Sequence, residues 1–109
     1  MAVFPAEVVL NVSDTGRAAE FWSRALGYLR QQDAPDFLIP QNGQGLRLHL
    51  DEEDRTHLDL RVDRELSDLE TEVDRLVTLG ATRVEWVYPE DADFVGLADT
   101  EGNLFCVIK

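Results

Sequence analysis

The 109-residue sequence predicts an α+β chain of two tandem βαβββ modules, forming a curved, partly closed mixed sheet with helices on its outer face. Three observations predict it. A strand-like alternation at residues 7–12 returns fifty residues later at 57–62; an apolar helical stripe follows each copy; and a glycine, Gly27 or Gly80, closes each helix.

In Glu7-Val8-Val9-Leu10-Asn11-Val12 the apolar Val8, Leu10 and Val12 share one face, as in a half-buried strand. Ser13 and Asp14 offer N-cap oxygens for a helix over 17–26, whose Ala18, Phe21, Trp22 and Ala25 recur at spacings of three and four. Gly27 stops it. Short strands are then expected near 28–32, 37–40 and 46–50, with Asn42-Gly43 as a turn.

The second copy repeats this plan. Leu58, Leu60 and Val62 alternate as Val8, Leu10 and Val12 do. Ser67-Asp68-Leu69-Glu70 reads as a capping box, and the helix continues through Leu69, Val73, Leu76 and Val77 to Gly80. Strands are expected near 82–88, 94–98 and 104–108, with Glu101-Gly102-Asn103 as the last turn. The two modules, about 1–53 and about 54–109, fill the chain as one domain.

Composition narrows the partners. A hydrophobic fraction of 44% beside 29% charged residues belongs to the globular class. Apolar runs are far too short for a membrane span, and residues 1–10 show no secretory pattern. Cys106 is the sole cysteine, so no internal disulfide forms, and a cytoplasmic location is expected. Ten basic residues against 22 acidic ones, a net charge of −12, would repel nucleic acid. Asp51-Glu52-Glu53-Asp54 and Glu90-Asp91-Ala92-Asp93 would attract a cation, or simply keep the surface solvated.

Alternation also sorts the polar residues. With the aliphatic faces turned to the helices, the opposite side carries Glu7, Asn11, Arg47, His49, His57, Asp59, Arg61 and Cys106, with apolar Leu104 and Ile108. A curved sheet would gather these into a small-molecule trough. Trp86 and Tyr88, two apart on one expected strand, would add a stacking wall, although core or dimer packing of Trp86 is an equal alternative. His57 would equally serve as a hydrogen-bonded partner of Glu7 or Asp59, and Cys106 as a small buried hydrophobe. A cysteine nucleophile would need a base and an orienting group, and Gly43-Gln44-Gly45 reads as a turn, not a phosphate loop.

The opening 7–14, the Phe21-Trp22 pair, Leu26-Gly27-Tyr28, the second-module start 57–63 and Leu79-Gly80-Ala81 resemble the vicinal oxygen chelate superfamily. So does Leu97-Ala98-Asp99-Thr100-Glu101-Gly102-Asn103-Leu104-Phe105-Cys106-Val107, with Thr100 where the family usually has proline. The superfamily includes glyoxalases, bleomycin resistance proteins and extradiol dioxygenases, so the resemblance implies a glyoxalase-like domain without specifying its activity. It implies metal-ligand positions at Glu7, His49, His57 and Cys106, with cysteine where metal enzymes usually carry glutamate. It also implies a homodimer.

Two functional readings follow. The favoured one is a metal-free protein sequestering a small organic ligand, cationic or aromatic, through Glu7, Asn11, Arg47, His49, His57, Asp59, Trp86, Leu104 and Cys106, with Phe37 adding contact area. The alternative is a metal-dependent lyase, isomerase or dioxygenase acting on vicinal oxygens, with Glu7, His49 and His57 holding a divalent metal.

Overall fold

The computed structural model describes residues 2–109. Along the chain run β1 (Val3–Asn11), α1 (Thr15–Leu26), β2 (Leu29–Arg30), β3 (Phe37–Ile39), β4 (Arg47–Asp51), β5 (His57–Val62), α2 (Leu69–Leu79), β6 (Thr82–Arg83), β7 (Phe94–Ala98) and β8 (Leu104–Ile108). The architecture is α+β, with βαβββ repeated once. Contacts divide the described residues into two compact units, 6–56 and 57–109, the latter joined by residues 2–5.

In the first unit the strand order is β2-β3-β4-β1. β1 and β4 run parallel, and the remaining pairs are antiparallel. α1 rests on β3 and β4 over a core of Ala19, Leu38, Leu48 and Leu50, flanked by Val8, Leu10, Val12, Ala18, Trp22 and Tyr28. Asp14 caps α1 by accepting from the Arg17 N–H. The buried stripe centres on Ala18, Ala19 and Trp22. Phe21 is displaced outward, 61% exposed, with its ring edge against Trp22. Gly27 closes the helix in the left-handed conformation that glycine adopts without penalty (φ 68°).

The second unit repeats the topology as β5-β8-β7-β6, with β5 and β8 parallel. Its core is Val62, Val73, Leu97 and Val107, with Val3, Leu69, Leu76, Ala81, Val95 and Phe105 packed against it. The beginning of the chain belongs to this unit. Ala2 accepts from the Asp63 N–H and donates its own N–H to Glu72.

Three elements differ from the sequence reading. The α2 cap is Asp68, which accepts from the Thr71 N–H; Ser67 is turned aside and donates to Glu72. Leu58, the second residue of β5 and on its core-facing side, stays 36% exposed. The strand expected over 82–88 stops at Arg83, and 84–93 is irregular. The resemblance-bearing Asp99-Thr100-Glu101-Gly102-Asn103 is a structural turn. Asp99 accepts from both backbone and side-chain N–H groups of Asn103 and from the Glu101 N–H, while Gly102 takes φ 83°. Among the described residues no helix is long and apolar enough to cross a membrane.

Candidate functional site

In the second unit, strand register assembles a polar row. Asp59 on β5 pairs with Cys106 on β8, which pairs with Gly96 on β7. Partnered residues point to the same face, so Asp59, Cys106 and Gly96 line up across three strands, turned away from the core. His57 stands on the same face two residues before Asp59. Its Nε2 lies 3.1 Å from Asp59 Oδ1. His57, Asp59 and Cys106 are 7%, 5% and 3% exposed. One donor atom from each lies within 4.8 Å of the others, so imidazole, carboxylate and thiol converge on one spot.

Over this row lies Trp86. Its ring centroid lies 5.3 Å from that of His57 and 6.4 Å from that of Phe94, both pairs near perpendicular. It fits because Gly96 has no side chain: a Cβ there would lie 2.6 Å from Trp86 Cε3. Tyr88 packs on Phe94 at 5.3 Å, and its hydroxyl accepts the Gly96 N–H at 2.8 Å. Trp86 and Tyr88 thus each meet Phe94, from an irregular segment and not from a strand.

The first unit carries a different polar set. Glu7 pairs in register with Arg47 and forms an ion pair with its guanidinium. The Glu7 side chain is 6% exposed and that of Arg47 36%. Arg47 also lies over the Phe37 ring, 4.8 Å from its centroid. On the other side, His49 stacks flat on Phe37 at 4.2 Å and 8°. His49 Nε2 lies 2.9 Å from Asp36 and 3.9 Å from Asp51. Asn11 donates its side-chain N–H to the carbonyl of Asp54, and its backbone N–H to Thr56, so it ties down the loop after β4.

The predicted site residues thus fall into two groups. His57, Asp59, Cys106 and Trp86 come together in the second unit, with Leu104 half-buried further along β8. Glu7, Arg47 and His49 come together in the first, where Asn11 serves a loop. Asp36, Phe94 and the ring-accepting role of Gly96 escaped the sequence reading. Gly96 did carry a signal: a glycine inside an aliphatic strand marks a close approach by another group.

The metal positions implied by the resemblance can be tested against these pairings. A metal ligand must offer its lone pair to the ion. Glu7 already neutralises Arg47, and the Nε2 of His49 already faces Asp36. An ion at these positions would have to share both donors with those partners. The donors that do converge, His57, Asp59 and Cys106, include an aspartate from outside that set.

A family model described as a glyoxalase-like domain matches residues 7–108. No curated protein is significantly similar to the chain. Two solved structures share its fold. One is described as an NAD-dependent benzaldehyde dehydrogenase from Legionella pneumophila, 16% identical, with TM-score 0.68, covering 95% of this chain and 97% of that one. The other is methylmalonyl-CoA epimerase from Mycobacterium tuberculosis, also 16% identical, with TM-score 0.52, covering 98% of this chain and 86% of that one. At such identity the likeness is one of fold alone.

Proposed function

Because the chain belongs to the glyoxalase-like domain family, we propose that it is a metal-independent binding protein for a small organic ligand, cationic or aromatic. The observation that carries this reading is the ring of Trp86 against the buried His57 of the His57–Asp59 pair, continued outward by Phe94 and Tyr88. Apolar walls with a few convergent polar groups are the usual makeup of a small-molecule site. Asp59 supplies the buried carboxylate, and the net charge of −12 favours cations at long range. Arg47 and His49, part-exposed and held by their own partners, offer a second polar surface for contact.

The test is a titration of two probes of equal shape and opposite charge, benzamidine and benzoate. Benzamidine is expected to bind with an affinity that falls as sodium chloride rises, and benzoate not to bind. Equal affinity for both would rule out a preference for cations and leave the ring as what is recognised; none for either would overturn the reading.

One observation favours a second reading, the convergence of imidazole, carboxylate and thiol at His57, Asp59 and Cys106. On that reading a divalent ion, zinc before others because of the thiol, is held there and serves a lyase, isomerase or dioxygenase. Elemental analysis after dialysis against zinc separates the two. Stoichiometric zinc that disappears in Cys106→Ser and Asp59→Asn supports the second reading; a metal-free protein that binds benzamidine supports the first.

A further inference from the structure

We infer that the chain associates with a second copy of itself through a knob on the first unit and a hollow on the second. Phe21 of one copy enters the hollow beside the start of α2 in the other. The surfaces involved are separate from the residues assigned to the ligand, so the association stands apart from that reading.

The knob is the outer face of α1. Arg17, Glu20, Phe21 and Arg24 recur at the spacing of three and four that gathers residues into one stripe of a helix, and all four are exposed. Exposed anchors so spaced are how a helix docks into a groove. Phe21 is 61% exposed, and aromatic and arginine side chains are the usual anchors of protein interfaces. Two arginines stand here against one glutamate, in a chain of net charge −12. Their present bonds leave them open to a new partner. Arg24 and Glu20 form a surface pair within the helix, and Arg17 donates to the Ser13 hydroxyl.

The hollow belongs to the second unit. It is open, about 600 Å³ in volume, and lies beside the first turn of α2. Its floor is apolar, made by Leu69, Val73 and Val95 of that unit's core, with Leu69 and Val95 only half-buried. A space of about 150 Å³ holds a benzene ring, so a phenyl side chain has room to enter. Both signs of charge border it. Glu70 and Asp93 join the capping Asp68 as carboxylates, and Arg83 and Lys109 are the cations. The Lys109 N–H bonds the Asp93 carbonyl at 2.7 Å, which holds those two residues side by side.

The two surfaces match in kind. An aromatic ring meets an aliphatic floor; the arginines meet a rim richer in carboxylates, and Glu20 has Arg83 and Lys109 to meet. Like net charge makes two copies repel over most of their surface, so local complementarity selects where they touch. Contact between unlike surfaces then closes into a ring or extends as a chain.

The experiment is sedimentation velocity on the full chain across a range of concentrations. Wild type is expected to associate as concentration rises, and Phe21→Ala to weaken this about thirtyfold, the loss typical of an interface anchor. Two charge-reversed chains sharpen the test. Arg17→Glu with Arg24→Glu reverses the knob and lowers the net charge by four; Glu70→Lys with Asp93→Lys reverses the rim and raises it by four. All four positions are exposed, so both chains should keep cooperative unfolding. Each alone is expected to stay monomeric, and their mixture to associate as wild type does, because reversed knob then meets reversed rim. General repulsion alone predicts the opposite for the rim-reversed chain, stronger association than wild type. A wild type that is monomeric throughout, a rim-reversed chain that associates by itself, or a mixture that does not associate would each overturn the inference.

Discussion

Glu7 is a carboxylate buried in a sheet, and a buried charge without its partner is costly. Its ion pair with Arg47 explains why a position resembling a metal ligand tolerates life inside the first unit. Arg47→Ala is expected to destabilise the protein by roughly 2–4 kcal/mol, below the full cost of orphaning a buried charge because Arg47 is itself part-exposed. Combining it with Glu7→Gln should recover most of that loss, as urea unfolding midpoints would show. An additive double variant would mean that the two side chains do not depend on each other. The pairing of Glu7 with Arg47 was readable only in part. Alternation placed both on one face, but the register that sets them opposite each other comes from the parallel β1–β4 ladder.

Helix ends are where local chemistry speaks most clearly. Asp14 and Asp68 each accept a backbone N–H three residues on, from an extended backbone. Each replacement by alanine is expected to cost about 1 kcal/mol in denaturant unfolding. Ser67→Ala tests the correction at α2. Its effect should pass through Glu72, which Ser67 holds at 2.9 Å, and so should largely vanish in a Glu72→Ala background, whereas that of Asp68→Ala should persist. A Ser67 effect that persists there would restore Ser67 as the cap. The strand ends were less readable. The 84–88 stretch has strand-forming residues, yet Trp86 is drawn onto Gly96 and the Tyr88 hydroxyl takes the Gly96 N–H. A side-chain contact there replaces what would have been a ladder bond, and no local propensity contains that information.

At the scale of the molecule, acid should weaken the fold through specific carboxylates. Burial works against charge on Glu72, but bonds from Ser67, the Ala2 N–H and Arg75 outweigh it and hold its carboxyl below the ordinary value. Asp99, bonded by Asn103 and Glu101, and Asp68, bonded by Thr71, are lowered as well, as is Glu52 through Thr15. A carboxyl lowered by folding contributes stability above its unfolded value, near 4.5 for Glu72, and loses it as pH falls through the folded value. Relief of repulsion among 22 acidic residues acts in the opposite direction. The stability gap between wild type and Glu72→Gln isolates the first effect. It should narrow as pH falls from 5 toward 3, and a constant gap would show that the bonds do not depend on charge.

The repeat, the helices and the faces of the strands were legible in the chain because they follow from periodicity, caps and glycines, which act over a few residues. The same alternation placed His57, Asp59 and Cys106 on one side of their sheet before any coordinates. Tertiary structure alone decided which polar groups pair: Arg47 with Glu7, Asp36 with His49, Asp59 with His57. It also decided that Trp86 lies in the gap left by Gly96. These choices join residues from different strands and loops, and a pairing energy that depends on register and burial is not encoded in any short stretch of sequence.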